Sequence, residues 1–394
     1  MFAVLRQARK LWTLFVMLFA ALSLAACGAG FPTAGGGGPR IDTSEPVPVA
    51  LLVPGGSANA TDTALAQSLE NAARLAMAEL DGVQIDLRVY NTAGQAAQAS
   101  AQAQTAVAEG AKVILGPVYA QSAAAAGVAA AANGVNVLAF SNNPEVAGGN
   151  VFILGNTFQN TANRMVQFAA SQDKGNILVL YGNSPAETFG RDAIVQAIAN
   201  TNGASQAGAV GFELSQNGII QSMPQISSTV RSSGANNIMF TSGTDGALPF
   251  LAGLLPENGV NPSAVQFMGL QRWDIPANAL TLPGLQNGWF AIPDPTLSTQ
   301  FNARYEAAYG TPPHPIAGLA YDGIAAIGAL VKAGKADALT GAALTQSQGF
   351  AGVNGVFRLL ADGTNERGLA IAQIQNQQVV VIDAAPKSFG GFGF

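Results

Sequence analysis

The sequence predicts an α/β protein of two lobes, each a doubly wound, mostly parallel sheet flanked by helices. Three observations lead there. Short apolar runs of strand length alternate with longer stretches whose apolar residues recur at helical spacing. That alternation runs to about residue 155 and then restarts with units of similar size. The chain is also long enough, at 394 residues with 49% apolar content, for two or three domain-sized units with substantial cores.

Taken in order, residues 47–53 form a short apolar run that ends at Pro54-Gly55-Gly56, as a buried strand entering a loop does. Leu65, Leu69, Ala72, Ala76 and Leu80 then recur at helical spacing, and Asp81-Gly82 stops that helix. Residues 85–90 alternate as a strand, 95–109 are an Ala/Gln-rich helix ended by Gly110, and 113–115 are a strand closed by Gly116-Pro117. A helix over 122–132 and a strand over 137–140 follow. The restart predicts helices over 157–171, 191–200, 224–233 and 247–255, alternating with strands over 177–181, 210–214, 238–241 and 266–269. Helices over 316–332 and 338–345 come next. The end changes character: 355–360, 369–374 and 379–382 read as an antiparallel meander with Asp362-Gly363 as a turn.

The N-terminus carries a different signal. Arg6, Arg9 and Lys10 precede an apolar run over 11–22 that is too short to span a membrane comfortably, which is the layout of a secretory signal. The run ends in Leu24-Ala25-Ala26-Cys27-Gly28, which resembles the bacterial lipobox. By that resemblance residues 1–26 are a lipoprotein signal peptide and Cys27 is the lipidation site, with two or three acyl chains giving stable anchoring. The other reading is an ordinary signal peptide with a chance cysteine. Cys27 is the only cysteine, so a disulfide within the chain is excluded. Residues 27–45, with Gly35-Gly36-Gly37-Gly38-Pro39, read as a flexible Gly/Pro-rich tether. Gly28, rather than Asp, follows the cysteine, and by the same resemblance this permits transfer to the outer membrane in a Gram-negative host.

Composition narrows the function. Only 10% of residues are charged and the net charge is -5; removal of the signal strips three more positive charges. No basic stripe is present, so a nucleic-acid partner is not expected. The one histidine, His314, sits in Thr311-Pro312-Pro313-His314-Pro315 and reads as a solvated loop residue. No HExxH, cysteine pair or histidine cluster supports a metal. Gly182-Asn183-Ser184-Pro185-Ala186 is not GxSxG, and no GxxxxGK[ST] occurs. The expectation is a protein that is not an enzyme and carries no cofactor.

Several short motifs, in order and spacing, resemble one family. The stretch Asp86-Leu87-Arg88-Val89-Tyr90-Asn91 after strand, loop and helix is similar to the opening of the type I periplasmic-binding family, which includes the leucine/isoleucine/valine-binding proteins. Val113-Ile114-Leu115-Gly116-Pro117 resembles its strand end before a ligand loop. Leu178-Val179-Leu180-Tyr181 with Phe189-Gly190-Arg191 resembles its second-lobe opening. Phe267-Met268-Gly269, the helix containing Tyr321-Asp322, and Val353-Asn354-Gly355-Val356-Phe357 with Asp362-Gly363 complete a likeness covering roughly 46–385. The resemblance implies three crossovers between lobes, near Asn156, Ile292 and Asn354. It divides the chain into lobe 1 (46–155 plus 292–354), lobe 2 (156–291 plus 355–385) and a flexible tail (386–394). The tail's Ser388-Phe389-Gly390-Gly391-Phe392-Gly393-Phe394 reads as a frayed end or as a docking peptide.

A ligand would lie between the lobes, at strand C-terminal ends. Tyr119, Gln121 and Ser122 follow Gly116-Pro117 and precede a helix, whose free N–H groups can hold a carboxylate; the alternative is ordinary capping by Ser122. Ser141, Asn142 and Asn143 follow the next strand, where amino-acid-binding members of the family carry small hydroxyl residues; the alternative is a turn. Phe189 stands where the family often has a stacking tyrosine, or is a core aromatic. Thr244 and Asp245 follow a further strand end, facing the cleft or forming a solvated turn. After Phe267-Met268-Gly269 the amino-acid binders tend to place an acid for the ligand ammonium. This chain instead reads Leu270-Gln271-Arg272-Trp273-Asp274, and a buried ammonium without a carboxylate is costly. Asp274 or Asp245 is a possible substitute. Gln271 is neutral at the matching place, and Arg272 with Trp273 suits an anionic or ring-bearing ligand, or a protein partner.

Two functional classes follow from the resemblance. One is a membrane-anchored, periplasm-facing lipoprotein that binds an amino acid or related solute for an ABC permease. The other is a lipoprotein activator of a penicillin-binding protein. Such activators share the lipobox, a first strand like Val49-Ala50-Leu51-Leu52-Val53-Pro54 and an ending like Gly355-Val356-Phe357-Arg358-Leu359.

Overall fold

The computed structural model describes residues 38–390. Cys27, the signal segment and the last four tail residues lie outside the described residues.

The first lobe is built on a parallel sheet of five strands in the order β2-β1-β3-β4-β5. These are β1 (Val47–Val53), β2 (Ile85–Asn91), β3 (Val113–Leu115), β4 (Asn136–Ala139) and β5 (Val151–Ile153). Helices α1 (Ala60–Ala78), α2 (Ala96–Ala108) and α3 (Ala120–Ala131) connect them. β1 and β3 are buried almost throughout because they lie between neighbours with helices on both faces, which is why they read as continuous apolar runs rather than alternating ones.

The second sheet has seven strands, β15-β14-β10-β9-β8-β6-β7. It comprises β6 (Asn176–Gly182), β7 (Ser205–Phe212), β8 (Asn237–Phe240), β9 (Gln266–Gly269) and β10 (Trp289–Ile292), which pair in parallel. The antiparallel hairpin β14 (Ala370–Gln375) and β15 (Gln378–Asp383) completes it. Helices α4 (Phe158–Ser171), α5 (Pro185–Ala199), α6 (Gln216–Ser233) and α7 (Leu248–Glu257) flank it. Between β10 and β14 the chain returns to the first lobe. There α8 (Pro295–Tyr309), α9 (Gly318–Lys332), the one-turn α10 (Gly341–Leu344) and a small sheet of β11 (Phe350–Gly352), β12 (Gly355–Leu359) and β13 (Asn365–Arg367) lie. Phe301, Tyr305, Ile324, Phe350 and Phe357 share one core with β1 and α1.

The expected meander over the last three strands is therefore two hairpins in different sheets. β12 pairs with β13 and packs on the first lobe, while β14 pairs with β15 on the second. By core membership the chain passes between lobes at 155–157, at 293–294 and at 368–369. The third passage lies beyond the Asn354 position suggested by the resemblance, because Phe357 and Leu359 are buried in the first lobe's core.

Residues 38–41, expected as tether, dock instead. Ile41 is buried in the first core and its N–H donates to the Ala336 carbonyl at 2.9 Å. Phe389, placed in the expected frayed tail, lies against Arg358 of β12.

Candidate functional site

The C-terminal ends of both sheets supply the loops between the lobes. On the first lobe, β3 leads through Gly116-Pro117 to Tyr119, the N-cap of α3, which forms no side-chain capping bond. The first N–H groups of α3 thus have no side-chain acceptor, and Ser122 does not act as the cap. Ser122 is buried, its hydroxyl 3.4 Å from the Gly94 carbonyl, while Gln121 is exposed. The Tyr119 hydroxyl donates to the carboxylate of Asp62, in the first turn of α1. That bond, with partial burial, raises the Tyr119 pKa. At the end of β4, Ser141 is buried and its Oγ accepts the Asn143 N–H at 3.1 Å. Asn143 in turn caps the 3₁₀ turn Pro144–Val146, and Asn142 is exposed.

On the second lobe the central group is one the sequence reading did not single out. Glu187, in the first turn of α5, turns its carboxylate over the ends of β6 and β8. One oxygen, Oε2, accepts the Gly182 N–H at 2.6 Å, the Ser242 hydroxyl at 2.7 Å and the Thr241 hydroxyl at 2.8 Å. No hydrogen bond to Oε1 occurs among the described residues, and the side chain is half-buried. Beside it, Gln271 Nε2 donates to the Thr241 carbonyl at 2.8 Å. Gly243 separates Gln271 from Asp245: a Cβ there would come within 2.7 Å of Gln271 Oε1 and 2.9 Å of Asp245 Oδ1. Glycine is what lets these side chains converge. Thr244 points its hydroxyl at the Ile275 carbonyl, and Asp245 is exposed.

Two of the interlobe cavities take in several of the candidates, though Ser141 and Glu187 line neither. The larger, about 580 Å³, brings Asn142, Asn143 and Phe189 together with Phe158, Gln159 and Asp192. Phe189 is half-exposed, so it is a wall residue rather than a core aromatic. The smaller, about 230 Å³, is lined by Gln271 and Arg272 with Asn156, Asn354 and Arg367 near the passages between lobes. Phe158 borders both cavities. Tyr119, Gln121, Ser122, Thr244 and Asp245 line neither.

Two expectations at the β9 end need correction. Trp273 is fully buried, nearly parallel to Phe290 at a 6.1 Å centroid separation and tilted against Phe240 at 6.2 Å. It is a core residue of the second lobe because the chain turns inward after Arg272 to close that core. Asp274 is held by Arg272 through a bidentate pair of 2.5 and 2.9 Å, so it is committed to a guanidinium rather than open to a ligand ammonium. His314, expected in solvent, is half-buried; its backbone N–H donates to Ser68 Oγ at 2.8 Å and burial lowers its pKa. Among the described residues no group of three His, Cys, Asp or Glu side chains is placed to hold a metal ion.

A family model described as periplasmic binding protein matches residues 46–378. The chain belongs to the periplasmic binding protein family. Membership implies a periplasmic protein built to bind a ligand. No curated protein matches the sequence of this binding protein, but solved structures share its fold. A putative branched-chain amino acid ABC transporter protein from Rhodospirillum rubrum superposes with a TM-score of 0.72 at 17% identity, covering 86% of this chain and 100% of its own. The substrate-binding protein LivJ from Streptococcus pneumoniae, in complex with isoleucine, gives 0.57 at 15% identity over 87% of this chain and 100% of its own. A solute-binding protein from R. palustris, in complex with benzoate, gives 0.54 at 16% identity over 89% and 99%. At these identities the likeness is one of fold.

Proposed function

We propose that this binding protein is the solute-binding component of an ABC-type importer, held at the membrane by lipid on Cys27. It takes a small solute, an α-amino acid or a close relative, between its lobes and performs no covalent step. The observation that carries this reading is the Glu187 carboxylate. Its Oε2 is fixed by three donors while its Oε1 has no hydrogen-bond partner among the described residues, so it supplies the negative group missing at Gln271. A preorganised carboxylate recognises an ammonium at little entropic cost. On the first lobe, the uncapped α3 N-terminus after Tyr119 and the Ser141–Asn143 loop offer donors suited to a carboxylate. Phe158 and Phe189 supply apolar walls for a side chain. The relatives in complex with isoleucine and with benzoate are consistent with a small carboxylate ligand. The alternative as a cell-wall regulator gains nothing from these neighbours.

The test is thermal unfolding of the protein against amino acids, their amides, small carboxylates and cell-wall fragments. A ligand at about 100 times its Kd adds roughly 2.7 kcal/mol to stability, which is a clear rise in Tm. The expected result is a rise with one class of amino acid. A rise only with peptidoglycan fragments, or none with any solute, overturns the reading.

A further inference from the structure

The end of the chain makes a fourth connection between the lobes. After β15 the chain leaves the second lobe from a firm base. Arg164 of α4 holds the Asp383 carboxylate at 2.6 Å, its Nη2 lies 3.4 Å from the Ala384 carbonyl, and Ala385 is buried in the second lobe's core. Four residues later the chain is on the first lobe. The Phe389 ring faces the guanidinium of Arg358, with Cζ 4.6 Å from the ring centroid. The ring packs so closely on Gly349 that a Cβ there would come within 2.7 Å of it. Arg358 is itself fixed by Glu366 across the β12–β13 hairpin at 2.5–2.6 Å, so the ring docks on a rigid platform of the first lobe.

Between base and tip the segment runs beside a groove of about 580 Å³ whose walls come from both lobes: Asp294, Pro295 and Val356 from the first, Val381 and Ala385 from the second. The lobes are therefore not packed tightly along this line. A change in their relative angle alters the width of the groove, and a segment anchored on both sides must then slacken, tighten or let go. The three covalent passages cannot let go; this connection, made by noncovalent contacts of one ring with Arg358 and Gly349, can.

We propose that residues 384–389 form a reversible latch that holds the lobes in the arrangement of this structure, with Phe389 on Arg358 as its release point. A contact of this type shifts a two-state equilibrium by roughly two- to five-fold. The latch rests on the binding reading only in that lobe movement serves ligand capture; its physical content stands without a ligand. The experiment uses the mature protein with Cys27→Ser and donor and acceptor dyes on Val128→Cys of α3 and Ile220→Cys of α6, both exposed positions on opposite lobes. The interlobe distance distribution is read without ligand. Phe389→Ala is expected to shift or broaden it, with Tm and far-UV circular dichroism little changed, and Phe389→Trp to restore it. Truncation after Lys387 should reproduce Phe389→Ala. Identical distributions in all four proteins overturn the latch, as does a shift that Phe389→Trp does not reverse. Because no solute is added, failure of the latch and failure of the importer reading are separate outcomes.

Discussion

In the stretch Ser184-Pro185-Ala186-Glu187 the spacing of a capping box is met, and half of it forms: Ser184 Oγ accepts the Glu187 N–H at 3.3 Å. The other half does not, because the Glu187 carboxylate reaches Gly182, Thr241 and Ser242 instead. A local pattern therefore masks an acid two of whose partners, Thr241 and Ser242, lie more than fifty residues away in sequence, and only the fold brings them together. On the proposed reading, Glu187→Gln lowers affinity for an α-amino acid roughly 10- to 100-fold, the worth of one charge-assisted bond. Affinity for the matching des-amino acid stays within about two-fold, since that ligand presents no ammonium. Titration calorimetry with both ligands decides it; equal losses for the two would assign Glu187 a purely structural role. His314 offers a second residue-scale test. Burial depresses its pKa below 6.5. As the pH falls below about 6.5, the unfolded chain binds a proton that the native protein resists, so stability falls, and it levels off below the folded pKa. Being the only histidine, it gives a single imidazole resonance. A midpoint at or above 6.5 in the native protein contradicts the assignment, and His314→Gln should flatten the pH slope of Tm in that window.

At the scale of elements, most strands and helices were legible because their apolar periodicity matches their burial, and the misses have physical causes. The sequence pattern starts α5 at 191, but the helix begins at Pro185, where Ser184 caps it and proline fits the first turn. The expected start of α6 at Pro224 is likewise late. That proline sits inside the helix, where the carbonyl it cannot serve belongs to half-exposed Ile220. β5 and β10 are short apolar runs without a period of their own and are absent from the sequence-based pattern. α8 went unread because only Phe301 and Tyr305 of its fifteen residues are buried. Trp273 was misassigned for a related reason: one residue past an exposed arginine, nothing local says that the chain turns into a core. Its burial makes a distinct prediction. Trp273→Ala should cost about 3–5 kcal/mol in urea denaturation. Trp273→Phe should cost clearly less, because the indole N–H has no partner among the described residues to lose. A Trp273→Phe protein of unchanged stability but weakened ligand binding would return this side chain to the cleft wall.

For the whole molecule, the passages between lobes are tied together by one buried polar network, and two motif residues meet in it. Asp322 of α9 and Asn354, the first noted in the sequence as part of a family-like pattern and the second also as an expected crossover, are neighbours here. Asp322 accepts the Val353 N–H at 2.7 Å and pairs with Arg367 at 3.1 Å, both side chains almost wholly buried. Arg367 lies just before the third passage and donates to the Leu154 carbonyl at 2.8 Å, just before the first. Asn365 binds the Ile153 and Gly155 carbonyls at 2.7 and 2.9 Å. The Asn354 carbonyl accepts the Asp294 N–H of the second passage at 3.2 Å. Burial pushes the Asp322 carboxyl pKa up while Arg367 and the Val353 N–H oppose it, so the carboxylate depends on its guanidinium. Arg367→Met strands that acid in the interior and should cost about 3–5 kcal/mol. Adding Asp322→Asn removes the stranded charge, so the double variant should be more stable than Arg367→Met alone. If the two losses simply add, the residues act separately and the passages are not joined through this pair. If they couple, the element that lets two lobes move about three strands of chain is a single buried ion pair, and its loss should widen the interlobe distance distribution as well as lower stability.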